Sequence, residues 1–192
     1  GDEATDSGFA IDGKVSSKLF LGVELTGRDV ESSVNDLARN PVATEATEEG
    51  ARTYLYWTPR QDVSFSAQYQ NDHLSSDENG PLRVTFLRTQ RLPLEARYFH
   101  ANGFSAGIRT SRFHQEGEFV SGPEGGAPEA GEDDFWIVDL SLGYRLPNRR
   151  GVLSLNVDNL LDEEFRFQDL DPENPSIMPE RMAYFRFTLS FD

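Results

Sequence analysis

Met182-Ala-Tyr-Phe-Arg-Phe-Thr-Leu-Ser-Phe191 is the stretch whose reading decides the fold. One face takes Ala183, Phe185, Phe187, Leu189 and Phe191; the other takes Met182, Tyr184, Arg186, Thr188 and Ser190. A strict period of two with one apolar side is the mark of a strand. An aromatic this near the last residue, with only Asp192 beyond it, reads as the closing strand of a bacterial outer-membrane β-barrel. Taken alone, the segment fits an amphipathic strand of a soluble sandwich equally well.

The same parity returns along the chain. Leu19, Leu21, Val23 and Leu25 alternate with Phe20, Gly22, Glu24 and Thr26, and Val63, Phe65, Ala67 and Tyr69 with Ser64, Ser66, Gln68 and Gln70. Leu82, Val84, Phe86, Leu92, Leu94, Ala96 and Tyr98 share one face of the long run to Phe99, interrupted only by Arg88 and Gln90, which read as strand positions above a membrane. Phe104 to Ser111, Trp136 to Arg145 and Leu153 to Asp158 repeat the pattern. Arg52 to Thr58 is ambiguous, because both faces carry aromatics.

Connections alternate in length. Pro59–Gln61, His100–Gly103 and Pro147–Arg150 are tight and rich in turn residues, whereas Glu31–Gly50, Leu74–Pro81, Ser121–Asp133 and Leu160–Arg181 are long. Short turns on the periplasmic side and long loops outside are the outer-membrane arrangement. The expectation is an all-β fold: one antiparallel up-and-down transmembrane barrel of about eight strands, both termini on the short-turn side. Residues 1–15 are expected as an N-terminal extension, with strands and loops filling 16–192 as a single domain. Alternation alone also fits a lipocalin-like barrel with a fatty cavity. The aromatics Trp57, Tyr69, Tyr98, Phe99, Phe104, Trp136 and Tyr144 favour the membrane, since they sit near strand ends where interfacial girdles belong.

The 192 residues carry a formal charge of -15, a mean hydropathy of -0.55 and no cysteine. That excludes a disulfide framework and thiolate chemistry, and no apolar run is long enough for a transmembrane helix. Beginning at Gly1 without a signal peptide, the chain reads as a processed or trimmed product. Acidic residues crowd the long loops, including Glu124, Glu129, Glu132, Asp133 and Asp134 in the third. Such a field repels nucleic acid, which is discarded as a partner. Asp162, Glu163, Glu164, Asp169 and Asp171 do not follow the spacing of a calcium loop, so no metal site is expected, although acidic loops can bridge divalent ions to lipopolysaccharide phosphates. The Gly/Pro-rich Ser121–Gly131 lacks the Lys-Ser/Thr ending of a phosphate loop. No nucleophile motif accompanies His73, His100 and His114, so neither enzyme activity nor a cofactor is expected.

Leu153-Ser-Leu-Asn-Val-Asp-Asn-Leu-Leu-Asp-Glu-Glu-Phe165, then a long loop, Pro179-Glu-Arg181 and the aromatic final strand resemble the C-terminal end of TonB-dependent outer-membrane receptors. Phe135 to Tyr144 is similar to that family's preceding strand. The resemblance covers Asp134 to Phe191 and implies uptake of a scarce nutrient, with TonB-type energy coupling through an N-terminal part. It departs from the family in lacking a TonB box, a plug domain and most of the about twenty-two strands such barrels use. Two other readings stand beside it: a small non-conducting barrel serving as an anchor or adhesion scaffold, and an export pore.

In a barrel, Glu24, Arg28, Glu95, Arg97, Arg109, Asp139, Arg145 and Arg186 are expected to face the lumen as a mutually neutralising ion network. Phe165, Arg166, Phe167 and Gln168 are the candidate ligand contacts in the last loop, the alternative being aromatics packed onto the barrel rim. Phe185, Phe187, Leu189 and Phe191 form the expected signal for the barrel-assembly machinery. Outer-membrane lipid and lipopolysaccharide are the surrounding partners.

Overall fold

The computed structural model describes residues 3–35, 41–77, 84–120, 127–168 and 180–189. In order these form β1 (Glu3–Ser16), β2 (Leu19–Asn35), β3 (Pro41–Arg60), β4 (Val63–Ser76), β5 (Phe86–Phe99), β6 (Phe104–Phe119), β7 (Glu129–Arg145), β8 (Gly151–Asp158) and β9 (Met182–Leu189). They make one antiparallel up-and-down sheet, each strand paired with its sequence neighbours, and no pairing joins β1 to β9. Among the described residues the only helical piece is a 3₁₀ turn at Pro147–Arg149, and no helix is long and apolar enough to cross a membrane.

Nine strands replace the expected eight. The additional one is β1, where an N-terminal extension was expected; Phe9 and Ile11 pair with Leu25 and Val23. Phe9, Ile11 and Val15 share one parity there, but Thr5, Ser7 and Gly13 fall among them and dilute the alternation. An odd count also corrects the placement of the ends: β1 starts at the long-connection end, while β9 finishes at the short-turn end. The first and third long connections are shorter than expected, while the second is displaced, since β5 begins at Phe86 rather than at Leu82. β2 runs to Asn35, β3 starts at Pro41, β4 extends to Ser76, and β7 already begins at Glu129. Above the apolar stretch the outer positions of these strands turn polar, so the alternation seen below does not announce their continuation.

Register resolves the ambiguous Arg52–Thr58. Leu55 sits between Leu21 and Ala67, whereas Arg52 sits between Glu24 and Gln70. Trp57 and Leu55 therefore share the face of the apolar series, and Arg52, Tyr54 and Tyr56 take the other. The turn at residues 100–103 depends on Gly103, whose φ of 97° suits glycine; a Cβ there would lie 2.6 Å from the Arg145 carbonyl oxygen.

Candidate functional site

Residues 163–168 lie across one face of the sheet, called inner below; the opposite face is outer. Toward the short turns the outer face is apolar. Leu94, Ala96 and Tyr98 on β5 stand beside Ile108 and Ala106 on β6, and Leu140, Leu142 and Tyr144 follow on β7. The inner face there carries Glu95, Arg97, Arg109, Asp139, Ser141 and Asn156.

Toward the long connections the same strands reverse. Arg88, Gln90, Arg112, His114, Glu116 and Asp134 now hold outer positions. Apolar side chains move to the inner face: Leu74, Leu87, Phe119, Phe135 and Ile137 are all buried. Val84, which alternation placed with the outer series, precedes β5 and is buried with Leu74 and Leu87. On β7 the reversal falls at Trp136, and Trp136 to Tyr144 is a nine-residue apolar stretch. Nine residues at about 3.3 Å each make roughly 30 Å of strand, or about 23 Å of height at a 40° tilt, close to the roughly 25 Å apolar band of outer-membrane barrels.

The expected ligand contacts are brought together on this upper inner surface. The Phe165 ring stacks on Phe135 at 4.5 Å, Phe135 stacks on Phe113 at 5.1 Å, and Phe167 meets Phe113 edge-on at 6.0 Å. Arg91 lies over both Phe113 and Phe167, and Arg166 over Phe119. Gln115, fully buried, is the anchor of the segment. Its side-chain oxygen accepts from the Gln168 N–H at 2.7 Å, and its Nε2 donates to the Gln168 carbonyl at 2.9 Å and to Thr89 Oγ1 at 2.8 Å. The Gln168 side chain accepts from Val120 N–H at 3.0 Å, and the Arg166 N–H donates to Asp133. Phe165, Phe167 and Gln168 are thus engaged in holding the loop to the sheet, which is the rim-packing alternative; Arg166 alone of the four is exposed.

The Asn-Leu-Leu-Asp segment works as a clasp below this strap. Asn159 and Asp162 both adopt positive φ, 49° and 59°. The Asn159 amide donates to the Glu163 carbonyl and accepts from the Glu163 N–H, both at 2.9 Å, while its own N–H donates to Asp139 at 3.0 Å. Asp162 accepts from the Arg181 N–H at 3.3 Å and pairs with its guanidinium at 3.0 Å. The two ends of the long loop, from Asp162 to Arg181, are thereby tied together where β8 and β9 diverge.

The expected inner ion network divides. Arg28 pairs with Asp6 at 3.5 Å and Glu48 at 4.0 Å, Glu24 with Arg52 at 3.7 Å, and Arg97 with Glu95. Arg109 stands in register between Glu95 and Asp139, but among the described residues no ion pair within 4.0 Å forms at Arg109, Arg145 or Arg186. Asp6 and Glu48 were missed because β1 and the upper part of β3 were not legible as strands, and Arg52 because the faces of Arg52–Thr58 were ambiguous. Further inner contacts come from Tyr54, which stacks on Phe20 at 6.2 Å and donates a hydrogen bond to Asp12.

Above the apolar stretch the outer face holds its own pairs. Arg88 reaches Glu116 at 3.5 Å, and Arg112 forks onto Asp134. The hydrogen bond from Arg112 holds the Asp134 carboxyl below the usual carboxylate range. Among the described residues no group of three or more His, Cys, Asp or Glu is arranged to hold a metal ion. On β9, Phe185, Phe187 and Leu189 are 66%, 52% and 45% exposed along an unpaired strand edge, while Phe191 lies outside the described residues.

Compared with known protein families, curated protein sequences and solved structures, the chain matches none of them.

Proposed function

We propose that this chain is an arc of a wider outer-membrane β-barrel of the TonB-dependent receptor type, which takes up a scarce nutrient from outside the cell. The observation that carries the membrane reading is the reversal of the apolar face along β4 to β7. A strand surrounded by water keeps its apolar side chains on one face throughout. A strand that passes from lipid into water shows them outside in the first medium and inside in the second.

The wider barrel is supported by strand direction. β1 and β9 are both odd-numbered in an antiparallel meander, so they run the same way. Direct closure would create a parallel seam, whereas antiparallel closure needs an odd number of further strands and yields the even total usual in bacteria. That argues against a self-closed small scaffold of these nine strands. The receptor type, nutrient uptake and TonB-type coupling rest on the resemblance over Asp134 to Phe191, to which the clasp of Asn159, Asp162 and Arg181 gives a structural purpose.

The test uses single cysteines at Leu140 and Ser141 carrying nitroxide labels in the full-length protein in outer-membrane vesicles. Leu140 is expected to collide with oxygen dissolved in lipid, and Ser141 with a water-soluble nickel chelate. The reverse pattern would sink the membrane reading. For transport, a deletion strain is compared with its parent across growth-limiting nutrients. Uptake of one is expected to fall, and to fall equally when the inner-membrane energiser is removed; unchanged uptake of all of them rejects the receptor.

A further inference from the structure

We propose that the short-turn rim of the sheet is a binding surface for the phosphate headgroups of anionic phospholipid. The inference rests on the membrane reading and adds which lipid the protein selects. Although the chain carries -15 overall, its charge is distributed lopsidedly. Around the short connections, among the described residues, stand Lys14, Lys18, Arg60, Arg145 and Arg150, with Asp62 and, two residues before Lys14, Asp12 as the carboxylates there. The carboxylates gather at the other end, in and beside the long connections.

The rim cations are held and presented. Lys18, in the first turn, donates to the Pro59 carbonyl at 2.6 Å across the neighbouring strand pair. Arg60 is in register with Val63 on the outer face, and although paired with Asp62 at 3.0 Å its side chain is 75% exposed. Arg150 is exposed in the last turn. On the outer face at this end, Trp57, Tyr98, Phe104 and Tyr144 are all exposed, so amphipathic rings and cations occur together.

Charge complementarity selects the occupant. The cations come from three of the four short connections, spread from β1 to β8. A polyanionic leaflet meets all of them at once, whereas an acidic peptide would reach one or two. Lys and Arg close to such a surface are attracted over about one Debye length.

The experiment reconstitutes the full-length protein in phosphatidylcholine bilayers with trace spin-labelled phosphatidylglycerol or phosphatidylcholine and measures the motionally restricted fraction by electron spin resonance. Phosphatidylglycerol is expected to associate at least about twofold more strongly, with the preference shrinking in 1 M salt. The combined Lys18→Gln, Arg60→Gln and Arg150→Gln variant is expected to lose the preference while keeping its heat-modifiable mobility. Equal association of the two lipids with the unmodified protein, or a preference that survives the triple change, overturns the proposal. The latter result would leave an acidic protein segment as the rim's partner. Absence of any restricted lipid would instead bring down the membrane reading itself. The salt series on the unmodified protein decides the matter even if the variant fails to fold.

Discussion

The two halves of β6 use the same building rules to opposite ends. From Phe104 to Ile108 the large side chains point outward and stay exposed; from Phe113 to Phe119 they point inward and are covered. Across the sheet, the lower part presents an exposed apolar outer face, whereas the upper part holds five of the six hydrophobic residues buried among the described residues, the sixth, Ile137, lying on the inner face just past the reversal at Trp136. The lesson is that apolar burial is defined by the medium rather than by depth in the protein. On the membrane reading proposed above, a lower half resting against acyl chains has no need of an internal apolar core, and an upper half in water requires one.

That contrast can be broken at several points. The largest effect is expected from Phe187→Asp, which puts a charge on the outer face of the unpaired β9 edge before the barrel closes. Insertion should fall several-fold, read as the yield of heat-modifiable protein in the outer membrane; normal yield would remove β9 as an assembly signal. Next comes Phe135→Ala in the upper half, which empties the site between Phe113 and Phe165 at a cost of about 3 to 5 kcal/mol, measured by urea titration in detergent. The sheet below is expected to stay inserted. In the lower half, Leu140→Arg should cost roughly 2 to 4 kcal/mol, while Ser141→Arg is spared the lipid penalty. Equal losses from the two would mean that the faces do not see different media.

Smaller effects sharpen the boundary between strap and sheet. Gln115→Leu leaves the backbone of Gln168 without its partners and is expected to cost about 1 to 3 kcal/mol, seen as faster amide exchange in residues 165–168 with the strands still protected. Unchanged exchange would show that the aromatic stack holds the segment by itself. The smallest effect belongs to Asp134. Because Arg112 lowers its folded-state pKa, its stabilisation is present above the ordinary Asp value of about 3.9 and disappears as pH falls through the lowered value. Stability of the native protein and Asp134→Asn should therefore differ at neutral pH and converge once the pH has fallen below that lowered value, with a small gap because the pair is about half exposed to solvent. A gap persisting in strong acid would assign the effect to packing.

The antiparallel meander was legible because apolar alternation survives wherever one face meets a uniform medium, as at Val63–Tyr69. β1 was not, since Thr5, Ser7 and Gly13 share the face of Phe9 and Ile11 and dilute the signal. The upper strands were read as loops for a related reason: charged residues take over the outer positions there, and the parity set by the lower stretch no longer holds. Phe113 and Phe135 lie on the face opposite the apolar series below them and continue it there. For the site, Phe165 to Gln168 were singled out as a contact segment, but Gln115 and Arg91 were not. Nothing in a lone glutamine on a polar strand announces that a loop 53 residues away will bond to it.

The clasp at Asn159, Asp162 and Arg181 has a practical consequence. It fixes the spacing of the loop ends independently of what lies between them, and the strap anchors its first arm as far as Gln168. Foreign sequence placed between Gln168 and Pro179 therefore leaves both fastenings intact, and doubling the length of a connection adds only about 0.6 kcal/mol of closure entropy. On the membrane reading proposed above, the position is a natural graft point for displaying a peptide, with the sheet as its mount.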